Sequence, residues 1–125
     1  MIDHVSLQVT DVPASTAFYE AVLAPLGIRP GPTDGAAVGF FGPAPGSFWI
    51  SPAQRADDRE LHIAFRARTR DEVHAFHRAA LDYGAEVLHE PRVFPEYSPD
   101  YFAAFIRDPD GHNIEAVCHQ VPQGG

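Results

Sequence analysis

The 125-residue chain has 17 acids against nine bases, a net charge of −8, and every base is an arginine. That balance excludes nucleic acid as partner, since phosphate binding needs a basic face, and the lack of lysine excludes Schiff-base chemistry and a Gly-Lys-Ser/Thr phosphate loop. A single cysteine, Cys118, excludes an internal disulfide framework or a redox pair, while 45% hydrophobic content with nine Phe fits one globular domain.

The start, "MIDHVSLQV", has no basic n-region, and no apolar run approaches a membrane span. A cytoplasmic protein is expected. "IDHVSLQV" (2–9) alternates, with Val5, Leu7 and Val9 on one face and His4, Ser6 and Gln8 on the other, which predicts a half-polar strand. A helix follows over 11–27: Asp11 caps it, Pro13 suits its first turn, Ala17, Phe18, Ala21, Val22 and Leu26 form its stripe, and Gly27 ends it. Short strands are predicted in "IRPGPT", "AAVGFF" and "SFWIS", and residues 53–60 read as a charged linker.

The order then starts again. "LHIAFRA" (61–67) alternates, and "TRDEVHAFHRAALDYG" (69–84) is an amphipathic helix with Val73, Phe76, Ala80 and Leu81 inward. "EVLHEPRVF", "DYFAAFIR" and "NIEAVCH" read as strands, with a turn at "DPDG" (108–111) where Gly111 suits positive φ. A shift of 58 residues aligns the two halves without a gap from the first strand through the helix, and "AFYEAVL" against "AFHRAAL" gives four identities in seven. The chain is read as a duplicated β-α-β-β-β unit: module one over about 1–52, module two over about 61–119, and a tail at 120–125.

The duplication places His62 on His4, each on the face opposite the aliphatic residues. Parity puts Glu115, in "NIEAV", on the same face. Such an acid needs a positive partner. Arg66 or Arg107 would make it an ordinary ion pair, and a solvated edge position is the other plain reading. The sharper reading is a metal site, because two imidazoles and a carboxylate on separate strands form a facial ligand set for Fe(II), Mn, Co, Ni or Zn. Tyr97 and Tyr101, in "FPEYSPDYF" (94–102), are candidate proton shuttles, with Glu96 a weaker one. A surface loop packed by its own rings is the alternative for that segment. The remaining histidines read as structural, and Cys118 shares the inward parity of Ile114 and Ala116.

"HVSLQVTDVPASTAFYEAVLAPLG", the recurring "LHIAF" and the ending "DPDGHNIEAV" resemble the vicinal oxygen chelate superfamily of glyoxalases, bleomycin-resistance proteins and extradiol dioxygenases. The resemblance spans nearly the whole chain. It implies an α+β fold of two βαβββ modules, an open U-shaped mixed-sheet cavity with helices outside, and usually a dimer. It implies His4, His62 and Glu115 as ligands of a divalent metal ion that a small substrate with two adjacent oxygens would chelate. Glyoxalase I-like members usually carry a fourth ligand on the last strand of module one, where this sequence has Trp49 or Ser51 in "SFWIS". The readings left open are a metal-dependent enzyme of lyase, isomerase or dioxygenase type, a metal-free protein that sequesters a drug-like ligand, and a noncatalytic accessory subunit.

Overall fold

The structure, a computed structural model, describes residues 3–53 and 61–121; most of the charged linker and the end of the tail lie outside them. In chain order the elements are β1 (His4–Val9), α1 (Val12–Leu23), a 3-10 turn (Ala24–Leu26), β2 (Arg29–Asp34), β3 (Ala37–Phe41) and β4 (Ser47–Pro52). Module two repeats them as β5 (His62–Arg66), α2 (Arg70–Tyr83), β6 (Val87–Val93), β7 (Phe102–Arg107) and β8 (Asn113–Cys118). The sheets have the orders β1-β4-β3-β2 and β5-β8-β7-β6, each with its first strand parallel to its last. The α+β class and the two βαβββ modules stand as expected, and the described residues form no closed barrel.

Local chemistry explains the helix ends. Asp11 is extended and its carboxylate accepts from the Ala14 N–H at 3.0 Å, which satisfies an otherwise orphaned donor. Thr69 does the same for Glu72 N–H at 3.1 Å, and Asp71 and Glu72 in the first turn suit the positive end of the helix dipole. Gly84, at φ 93, donates to the carbonyls of Ala80 and Leu81 and closes α2; a left-handed position of this kind favours glycine.

Each helix covers one face of its own sheet, and the two helices pack together. Phe18, Tyr19, Val22 and Leu23 of α1 meet Leu7 and Ile50, while Val73, Phe76 and Ala80 of α2 meet Ile106 and Ile114. Two side chains depart from the predicted stripes. Leu81 is 55% exposed, because the inward stripe runs 73, 76, 80 and the next position turns past its edge. Ala17 is exposed and Tyr19 takes its share of the core. The Tyr19 hydroxyl donates to Asp108 Oδ2 at 2.6 Å, joining α1 to the turn before β8. Thr10 Oγ1 donates to Asp110 at 2.7 Å, a second tie between modules.

Candidate functional site

The start of β5 is fastened to the start of β8. Leu61 N–H donates to His112 Nδ1 at 3.0 Å, and Asn113 N–H donates to the Leu61 carbonyl at 2.8 Å. Asp108 holds the intervening turn, its Oδ1 accepting from the N–H groups of His112 and Asp110 at 2.8 and 3.0 Å. This anchoring sets a register with His62 opposite Asn113 and Ala64 opposite Glu115. Ala64 fills little space beside Glu115. The His62 ring, two residues away on the same face, therefore reaches across to place Nε2 2.8 Å from Glu115 Oε1. Tyr101 donates its hydroxyl to Glu115 Oε2.

The cluster lies on the face of sheet two away from α2. Phe105 sits opposite Glu115 in the β7–β8 ladder, with its ring centroid 5.9 Å from that of His62. Glu115 is only 1% exposed, whereas the His62 side chain keeps 47% of its surface in solvent. A carboxylate so deeply placed is costly unless its oxygens are hydrogen-bonded, and here both are. Burial first, then the bond to Glu115 and its charge, hold the Tyr101 phenol above its ordinary range, so it remains a protonated donor at neutral pH. The carboxylate assigns the proton of neutral His62 to Nε2, leaving the Nδ1 lone pair available.

The sequence-predicted residues separate into two groups. His62, Glu115 and Tyr101 come together. His4 bonds through Nδ1 to Asp3 Oδ1 at 2.9 Å on the open end of β1. Tyr97 is 63% exposed and stacks on Phe94, with its ring 5.1 Å from that of Tyr101. The loop is thus both self-packed and linked to the site. Glu96 pairs with Arg92 at 3.7 Å. The ordinary alternative for Glu115, an arginine partner, is not what the structure shows: Arg107 bonds Glu86 and the Gly111 carbonyl.

Trp49 occupies the module-one position equivalent to Glu115, since Ser6 pairs with Trp49 as Ala64 pairs with Glu115. Its indole N–H donates to Ser47 Oγ at 3.0 Å. Among the described residues no three His, Cys, Asp or Glu side chains are grouped to hold a metal ion. The donor set of one chain therefore fits a divalent ion only in part, with His62 and Glu115 as two ligands.

Two further residues were not candidates from the sequence. His112 fixes the β5–β8 register, and its signal was a histidine beside the turn glycine, read only as part of the turn. Asn113 shares the outward parity of Glu115, and its Oδ1 is buried without a hydrogen-bond partner.

Residues 1–116 match the family model described as the glyoxalase/bleomycin resistance protein/dioxygenase superfamily. The chain belongs to this superfamily. A solved glyoxalase/bleomycin resistance protein from Albidiferax ferrireducens T118 is 32% identical, covering 94% of this chain and 98% of that one with a TM-score of 0.78. Lactoylglutathione lyase from Agrobacterium tumefaciens (23% identical, 94% and 92% covered, TM-score 0.72) and a glyoxalase-related enzyme from Fulvimarina pelagi (18%, 94% and 87%, 0.73) share the fold. No curated protein matches the sequence. Superfamily proteins bind small molecules, often with a divalent metal and often as dimers.

Proposed function

We propose that this superfamily member is a small-molecule enzyme that moves a proton on a compact substrate bearing two adjacent oxygens. His62 meets the substrate, Glu115 positions His62, and Tyr101 holds Glu115. The observation that carries the reading is a sealed carboxylate bonded on one oxygen to a half-exposed imidazole and on the other to a phenol. A buried carboxylate that accepts from one ring nitrogen fixes the tautomer and stabilises the imidazolium formed when the other nitrogen takes a proton. His62 Nδ1 takes a proton from the carbon beside a carbonyl to leave an enediolate, and the same ring returns it to the adjacent carbon while the substrate's hydroxyl proton passes to the neighbouring oxygen through solvent. Tyr97 flanks the site through its packing on Tyr101. This reading includes a cytoplasmic setting.

A second reading has its own support. His62 Nε2 and Glu115 Oε1 are two metal-type donors 2.8 Å apart, and His4, their repeat-related histidine, is exposed on sheet one. In a homodimer, His4 of a second copy would complete a three-donor set for a divalent ion. The bound ion would supply Lewis-acid stabilisation of a developing oxyanion.

The test is metal analysis of protein purified without chelator, beside the His4→Ala, His62→Ala, Glu115→Ala triple variant, with sedimentation to read the oligomer. Stoichiometric metal in a dimer, lost in the variant, supports the second reading. Metal-free wild-type protein that exchanges solvent deuterium into small α-hydroxycarbonyls supports the first. Metal-free protein without exchange, binding a drug-like ligand tightly, contradicts both and makes the chain a sequestering protein.

A further inference from the structure

Strand β5 alternates in exposure: His62, Ala64 and Arg66 are exposed, while Ile63 and Phe65 are partly buried against the core. Successive side chains of a strand point to opposite faces. Arg66 therefore stands on the face that carries His62 and Glu115. The ladder sets Ala64 opposite Glu115 and Arg66 opposite Val117, one row pair further along. Val117 belongs with Phe105 and Ala103 to a small apolar cluster. Along β5 this face thus presents an imidazole, a methyl group beside an apolar floor, and a guanidinium.

The spacing suits one small molecule. Four residues of strand put about 13 Å between the Cα atoms of His62 and Arg66. The His62 ring leans toward the row of Ala64, because its Nε2 lies 2.8 Å from Glu115 Oε1. A long arginine side chain can lean back along the strand from the other end. Ala64 places nothing larger than a methyl between them, so the gap left is a few carbon atoms wide.

Charge singles out Arg66. Arg92 lies opposite Ala103 in the β6–β7 ladder, but its guanidinium stacks on the Phe94 ring at 3.7 Å and pairs with Glu96. Arg66 is exposed and has no hydrogen bond, ion pair or ring contact with another described residue. The chain has a net charge of −8, and the sealed Glu115 carboxylate lies beside His62, so an acidic substrate is repelled unless a local cation meets it. A planar guanidinium offers paired N–H donors that match a carboxylate.

We infer that the substrate met by His62 carries a carboxylate a few carbons from the reacting carbon, and that Arg66 holds this group and selects acidic over neutral substrates. The inference rests on the proposed role of His62 and names the substrate class of that site.

The probe is δ-hydroxylevulinate, a hydroxyacetyl group joined to a carboxylate through two methylenes, with its methyl ester as the neutral compound of similar shape. Exchange of solvent deuterium is followed by proton NMR over a range of substrate concentrations, and binding is read by calorimetric titration of the same proteins. Wild type is expected to favour the acid over the ester at least tenfold in kcat/KM, through KM rather than kcat. Arg66→Ala is expected to erase that preference by raising KM for the acid. Arg78→Ala, which removes an equal charge from an exposed position of α2, is expected to keep it. Equal use of acid and ester by wild type would overturn the inference. So would a preference that survives Arg66→Ala or is lost equally in Arg78→Ala. In each of those cases exchange of the ester leaves the role of His62 standing. Exchange of neither compound would instead contradict the proposed reaction, and binding then decides. Acid bound at least tenfold more tightly than ester, and weakened by Arg66→Ala alone, supports the carboxylate subsite; the absence of that difference overturns it.

Discussion

Glu115 is a carboxylate with almost no contact with water, and everything near it answers to that fact. Removing the Tyr101 hydroxyl leaves Oε2 without its donor in a buried place. Tyr101→Phe should therefore lower stability by about 1–3 kcal/mol, read by chemical denaturation. The equivalent change at Tyr97, which is exposed, should stay within about 0.5 kcal/mol. His62 and Glu115 were legible in the sequence because strand parity places both opposite an aliphatic face. Tyr101 was legible only as one of two loop tyrosines, since parity says nothing within a loop. Asn113 shares the parity of His62 and Glu115, but the missing partner of its buried Oδ1 depends on packing that parity does not report.

At the scale of elements, the duplicated unit was readable because both copies keep the 2.0 and 3.6 periods in the same order. The strand predictions fall within about two residues of the observed ends. What periodicity did not reveal is how differently the two modules fill the same register. Trp49 stands where Glu115 stands in module two, and Gly39 faces it across β3–β4. A Cβ at Gly39 would lie 2.8 Å from the Trp49 ring and 2.9 Å from Phe41. Gly39→Ala should thus cost about 1–3 kcal/mol by overpacking, measured as a lower denaturation midpoint. Trp49→Leu in the same chain should recover much of that loss. Thr69→Ala, which removes the cap of α2, should cost about 1 kcal/mol in the same measurement.

Across the whole molecule, the modules are tied by buried and polar links rather than by a shared sheet. Tyr19 is fully buried, and its phenol is pushed above its ordinary range by burial first and by Asp108 next. The unfolded chain then loses that proton first. The contribution is present below about pH 10, the ordinary phenol value, and is lost as pH rises beyond it. Stability should decline above that pH, and less steeply in Tyr19→Phe, which starts lower by about 1–3 kcal/mol because Asp108 Oδ2 loses its donor. Thermal unfolding across alkaline pH reads both effects. These ties were invisible in the sequence, since Tyr19 and Asp108 lie 89 positions apart and no local pattern links them. The superfamily architecture, by contrast, was readable from the opening and closing motifs alone.

The most direct measurement is proton NMR of solvent deuterium entering a panel of small α-hydroxycarbonyl compounds, with wild type and Glu115→Gln compared at equal concentration. The expected result is exchange by wild type that falls by about 10²–10⁴-fold in the variant, whose fold is checked by its near-UV spectrum. Exchange of equal rate in both proteins, or none with any compound in wild type, would contradict a proton-moving site built on Glu115 and His62.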